Sequence, residues 1–200
     1  QGANGLALRG DTLSTGTTSL TLSGGALTVD VGTMITQGTL QGQQVAVTSD
    51  NWQHAGSLVS LGALTADISN RFALPGELMS QGAMSLAAQQ LNNAGNILSE
   101  SDITLDGQQL TNTGVVQGNT LTLSQDRIHN QGVLIGLQSL TVAAPQQELM
   151  NAAGGALLTQ GMLKVTSGDE TNAGTWQGQS ILLNAQSLIN SGAIQSADAL

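Results

Sequence analysis

The groups in this sequence that could do chemistry are two histidines, thirteen scattered carboxylates and no cysteine. His54, in DNWQHAG, and His129, in DRIHNQG, stand two and three positions ahead of a glycine. An imidazole can serve as a metal ligand or a general base, but neither has a second ligand at metal-binding spacing. Asp50, Asp106, Asp126 and Asp169 are spread along the chain. A rough stacking of Asp106 on Asp126 is the one arrangement that could attract a weak cation. There is no calcium-loop repeat, phosphate loop or nucleophile elbow. Arg9-Gly10-Asp11 matches an adhesive tripeptide, a cheap match in which Gly10 reads more simply as a corner. Trp52 and Trp176, in DNWQ and GTWQG, read as core or corner packing. What these groups can do depends on the elements that hold them.

Those elements repeat. In LNNAGNILSESDITLDGQQ, LTNTGVVQGNTLTLSQDR and IHNQG, residues Asn93, Asn112 and Asn130 each lie two positions before a glycine, and Ile103/Leu105 and Leu121/Leu123 recur at one offset from it. The period is 18 to 19 residues, so the stretch is read as a repeat first. From Val45 the first members of the apolar pairs are Val45, Leu64, Met84, Ile103, Leu121, Leu140, Leu163, Ile181 and Leu200. Gly38, Gly56, Gly76, Gly95, Gly114, Gly132, Gly154, Gly174 and Gly192 keep the same beat.

An apolar pair separated by one polar residue marks a strand with one face inward. Each coil has room for three such strands and three corners, which predicts an all-β, right-handed parallel β-helix of triangular coils, about 19 residues each. Residues 1–200 then form one segment of roughly ten coils, less regular over 1–44 and regular over 45–200. In the irregular part Leu6/Leu8 and Leu20/Leu22 are read as the first two pairs, with a long coil before Val45. Asn93, Asn112, Asn130, Asn151, Asn172 and Asn190 fall in phase, and stacked amides can donate to one neighbour and accept from the other, so these six form a structural ladder.

Composition agrees. Glycine is 26 of 200 residues while aromatics are 2%, as a narrow prism requires, and 40% apolar residues are enough to order the chain. The net charge of -9 disfavours nucleic acid and anionic membrane surfaces. No apolar run reaches spanning length, so no membrane insertion is expected. The first residues carry no signal-peptide pattern, and the chain reads as an internal piece of a longer protein. Helical periodicity is not sustained, and the leucine-rich-repeat order with its helical half is missing.

Departures from the beat are where a solenoid places loops. NRFALPG (70–76) and PQQELMNAAGG (145–155) are the two, giving Phe72, Pro75, Pro145 and Glu148 as candidate partner-binding residues. The plainer reading of both is a decorated corner.

The beat N-x-G-x-[LIV]-x-[SQ]-x-x-x-[LIV]-x-[LV], seen also in TNAGTWQGQSILLNAQS and LINSGAIQSADAL, resembles the filamentous haemagglutinin repeats of bacterial two-partner-secreted exoproteins. The resemblance covers nearly the whole chain. It implies a rigid, monomeric filament segment, secreted to the outer surface of a Gram-negative bacterium through an outer-membrane transporter that acts on a missing amino-terminal domain. In contact-dependent growth inhibition members such a filament presents a toxin-delivery module and meets a target-cell receptor; in adhesins it binds host surfaces or glycans. The expectation is no enzyme and no cofactor, with toxin presentation ahead of adhesion. A polysaccharide-cleaving β-helix is the last alternative, since it would carry longer coils, larger loops and aromatic or basic subsites.

Overall fold

The computed structural model describes residues 1–198, with the side chains of Pro145 and Gln146 outside the description. Every described element is a β-strand. Long strands β1 (Gly5–Ser14), β3 (Ala26–Thr36), β5 (Gln44–His54), β7 (Leu64–Leu74), β9 (Met84–Asn93), β11 (Ile103–Asn112), β15 (Met162–Asn172) and β17 (Ser180–Asn190) alternate with short ones. The short strands are β2 (Leu20–Leu22), β4 (Thr39–Gly42), β6 (Ser57–Ser60), β8 (Glu77–Ser80), β10 (Asn96–Ser99), β14 (Ala156–Thr159), β16 (Thr175–Gly178) and β18 (Ala193–Ser196). In β12 (Val115–Asn130) and β13 (Val133–Asn151) a short and a long segment run together. All pairings are parallel, each strand with its counterpart one coil away, which makes a right-handed parallel β-solenoid of ten levels. At about 4.8 Å per level the stack is roughly 50 Å long.

Each long strand bends into two sides of the triangle. In β11 the inward residues are Ile103 and Leu105, then Leu110 and Asn112, so the alternation slips by one near Gln108. A flat strand keeps its period of two; the slip marks a corner. We call the side of Ile103 and Leu105 face A, that of Leu110 and Asn112 face B, and the short strands face C. Leucine and isoleucine stack inward on all three, valine on A and C, and alanine on A. The two tryptophans and the phenylalanine are also inside: Trp52, Phe72 and Trp176 are fully buried. Room comes from small partners at the same level, Val45 and Val47 beside Trp52, and Ala66 beside Phe72.

The first levels are more regular than their sequence suggests. Leu6 and Leu8 pair with Leu27 and Val29, which pair with Val45 and Val47. Leu20 and Leu22 belong to face C, where Thr21 stacks on the buried Leu40, so this pair is not the inward pair of a second coil. Two nearby stretches alternate equally well, and only the pairing register separates them.

The departure at 145–155 resolves into two separate insertions. Ala144 to Glu148 spans four positions where Ser167 to Asp169 spans two, at the corner between faces A and B. Asn151 to Ala156 spans five where Asn130 to Val133 spans three, at the corner between B and C. Gly154, with φ of 87°, is one of the added residues and occupies the left-handed region that favours glycine. Gly155 takes the column position expected of Gly154, since its carbonyl accepts from Thr175 as Gly132 accepts from Ala156. The other glycines of that column have ordinary φ, and close approach demands them: a β-carbon on Gly114 would overlap the carbonyl oxygen of Gly95 one level away. Leu200 lies outside the described residues.

Candidate functional site

The most organised polar feature is internal. At the end of face B, Asn93, Asn112, Asn130, Asn151, Asn172 and Asn190 occupy one column, joined by Nδ2 to Oδ1 hydrogen bonds of 2.7, 2.8, 2.8, 2.8 and 2.9 Å in that order. Every bond runs from the earlier coil to the later one. The second amide proton goes to backbone at the corner, as from Asn112 to Gly114 O and from Asn130 to Gly132 O. Asn93 Oδ1 takes the backbone N–H of Gly95, as Asn172 Oδ1 takes that of Gly174, and Leu74 at the level before offers it no donor. Asn112, Asn130, Asn151 and Asn172 are fully buried, so each amide is satisfied where water cannot reach it.

Before Leu74 the column continues as Thr36 and His54. His54 is fully buried and tilts against Trp52, whose ring stacks on Phe72 at 4.4 Å between centroids. Four groups form one relay. Trp52 Nε1 donates to Thr36 Oγ1 at 2.9 Å; Thr36 Oγ1 lies 2.8 Å from His54 Nδ1; His54 Nε2 lies 3.2 Å from the Glu77 carbonyl. A carbonyl can only accept, so Nε2 carries the proton, Nδ1 accepts from the threonine hydroxyl, and the ring is neutral. Burial pulls the His54 pKa down to about 4, against a smaller upward pull from the Glu77 carbonyl. His129, by contrast, points outward on face B, four levels or about 20 Å away. The two histidines are not brought together, and among the described residues no group of three His, Cys, Asp or Glu could hold a metal.

Asp106 stacks on Ser124 and Ala87, not on Asp126, which sits at the A/B corner. Carboxylates recur in that outward column only at alternate levels, Asp30, Asp67 and Asp106, with Thr48 and Ala87 between them. Arg9, Gly10 and Asp11 are exposed but lie in the paired strand β1, with Gly10 at its A/B corner, and form no projecting loop.

The four candidate partner-binding residues divide. Phe72 is inside, stacked on Trp52, and presents nothing to solvent: the added residue of that coil is instead at the Ser69–Asn70 corner. Pro75 is exposed beside a shallow groove formed with Ile35, Gln53, Arg71 and Ala73. Glu148 is at the surface, its carboxylate 3.1 Å from Arg127 Nε, with both side chains nearly half exposed. Such a pair contributes under about 1 kcal/mol. Pro145 falls outside the described side chains.

One inward residue escaped the sequence reading. Glu170 is 1% exposed in the column of Leu110, Ile128 and Leu149, and neither carboxylate oxygen has a partner. Burial raises its pKa, and the nearby Ser167 hydroxyl, which donates to the Asp169 carbonyl, pulls the other way only weakly. The indole N–H of Trp176, inside the same coil, is also unpartnered. Glu170 stands two positions before Asn172, as Leu110 stands before Asn112, and that offset marks it as inward.

No family model matches the chain, and no solved structure does. Curated proteins do match. The chain is 46% identical over 206 residues to the tRNA nuclease CdiA of Escherichia coli strain NC101, and 47% identical over 206 residues to the 16S rRNA endonuclease CdiA of Enterobacter cloacae. Each alignment takes in 100% of this chain and 6% of the relative. The Deoxyribonuclease CdiA of Dickeya dadantii is 45% identical over 84 residues, 42% of the chain and 2% of that protein. The chain therefore spans about one-sixteenth of the length of the first two relatives. From end to end it is a homologue of the CdiA family.

Proposed function

We propose that this chain is a rigid, non-catalytic spacer in the filament of a secreted growth-inhibition exoprotein, which holds a toxin-delivery module away from the producing cell. The observation that carries the reading is the match itself. Sequence similar to this chain recurs in relatives named for three different nuclease activities, over its whole length in the tRNA nuclease and the 16S rRNA endonuclease and over 84 residues in the deoxyribonuclease, and it takes up only a few per cent of each. A segment shared while the activity changes serves what those proteins have in common. The physics suits a spacer: a stack of hydrogen-bonded levels resists bending, and length grows by adding coils without altering the core.

Secretion through an outer-membrane transporter, residence at the surface of a Gram-negative cell and an encounter with a target-cell receptor belong to the same reading. So does the place of this segment within a longer filament, in keeping with its covering 6% of the first two relatives. An adhesin segment is the second reading, favoured by the groove at Pro75 and Arg71.

The test is a deletion in the full-length protein. Removing one whole coil, residues 103–120, joins Asp102 to Leu121 in register. It should leave inhibition of target cells intact, whereas removing 103–111 should abolish it by breaking the stack. Loss of inhibition with both deletions, together with saturable binding of the isolated 200-residue chain to target cells, would replace the spacer by a binding module.

A further inference from the structure

The three faces of the rod differ in what they show to water. Face A is polar, with Thr65, Thr104, Thr122 and Thr141 in one outward column and the alternate-level aspartates in the other. Face C is not. Val59, Met79 and Leu98 stack outward on consecutive levels, and Ile135 and Leu158 continue that column beyond Gln117, with Val133 beside them. An apolar groove opens between this stripe and the corner at Leu61, which is 37% exposed. Further exposed large apolar side chains, Leu137 and Met162, lie along the same corner. Contiguous apolar surface of this kind marks an interaction site.

We propose that face C is a self-association surface, on which a second copy of this chain lies side by side with the first. Charge selects that occupant. The chain carries a net charge of -9, which keeps copies apart, yet Glu77 is the only charged residue pointing outward from the short strands, and its carboxylate accepts from Asn96. Apart from Glu77 and Glu100, which stands at the rim of the groove, face C is thus where two such rods can meet with their carboxylates turned away. Its size suits a dimer as well. Four residues at about 3.3 Å by ten levels at about 4.8 Å give about 600 Å² per copy, or about 1,200 Å² in all, the lower edge of the range for stable complexes. A patch that meets its own copy closes at two, whereas stacking through the ends of the rod leaves an open series. This pairing takes the place of the single filament expected from the sequence, and it stands whatever module the rod presents.

Sedimentation velocity of the 200-residue chain from micromolar to several hundred micromolar should show monomer and dimer only. Met79→Lys with Ile135→Lys should raise the dissociation constant at least about 100-fold. Thr104→Lys with Thr122→Lys, which adds the same charge to face A, should leave it unchanged, and circular dichroism should show both variants folded. Because the chain has no cysteine, Gln117→Cys near the middle of face C should form an intermolecular disulfide, and Thr104→Cys should not. A monomer at every concentration, association that ignores the face C lysines, an open-ended series, or capture by phosphatidylcholine vesicles in place of dimerisation would each overturn the proposal.

Discussion

The asparagine column makes a quantitative claim on stability, and Asn112→Leu tests it at its middle. Leucine has the same branched, four-heavy-atom side chain as asparagine with bulkier methyl ends, so the substitution removes hydrogen bonds without opening a cavity. Asn112 accepts from Asn93, and donates to Asn130 and to Gly114 O. At about 1 kcal/mol net for each, their loss costs about 3 kcal/mol. Asn130 Oδ1 accepts from no other group among the described residues, and stranding it adds about 1 to 3 kcal/mol. Burying a leucine in place of the amide returns about 2 kcal/mol. The net loss is about 3 kcal/mol, and for a chain of this length it lowers the melting temperature by roughly 6 to 12 °C. Gln108 is an exposed corner residue, and Gln108→Leu should stay within about 0.5 kcal/mol of the parent. Thermal unfolding followed by circular dichroism makes the comparison. Amide exchange adds a local readout, with faster exchange expected at Gly114, Gly132 and Val133 in Asn112→Leu alone. Equal melting temperatures for the two variants would show that the amide column does not hold the stack together.

Other outcomes follow from buried groups. His54 is neutral in the fold with a pKa near 4, against 6.5 when unfolded. Its contribution is therefore complete above about pH 6.5 and is lost as pH falls toward 4, up to about 3 kcal/mol at 1.36 kcal/mol per pH unit. Denaturant titrations of His54→Asn should lack that slope. Glu170 has the opposite sign: its raised pKa gives stability that is present at low pH and lost as pH rises. Glu170→Leu should stabilise the protein at pH 7 by about 2 kcal/mol, with a smaller gain at pH 4. A Glu170→Leu variant less stable than the parent at neutral pH would show that the carboxylate has a partner. Phe72→Ala should cost about 3 to 5 kcal/mol through the cavity left against Trp52, while Pro75→Ala should change the melting temperature little. Arg127→Ala should cost under about 1 kcal/mol, less still at high salt.

Period, face count and ladder were legible because in a stack each position recurs, and a repeated Asn-x-Gly carries the same constraint every time. Places where the constraint is carried by one level alone were not. Leu20/Leu22 and Leu27/Val29 alternate equally well, and choosing between them needs the neighbouring strand. Phe72 looked like a decorated corner because a ring is rare in a narrow prism; Ala66, six positions earlier in the same coil, is what makes room for it. Thr36 gave no signal of its own, since its role comes from Trp52 and His54 one level on. Glu170 did give a signal, its offset from Asn172, but its charge suggested the surface. The outward apolar stripe was hidden because inward and outward residues of the short strands are both apolar there, as in Asn96–Ser99, where Ile97 faces in and Leu98 faces out.

The common direction of the amide bonds gives the rod a sense along its axis. Six carboxamides aligned head to tail reinforce one another, as polarised hydrogen bonds in a chain do. Their summed dipole distinguishes the early end, where Asn93 Oδ1 is capped by Gly95, from the late end, where Asn190 has an amide donor to spend. A following coil with a carboxamide in this column would meet the Asn190 donor, whereas the level before Asn93 presents Leu74 and makes no amide bond. The seam can thus act as a template that extends more readily in one direction, the direction in which the chain itself is written.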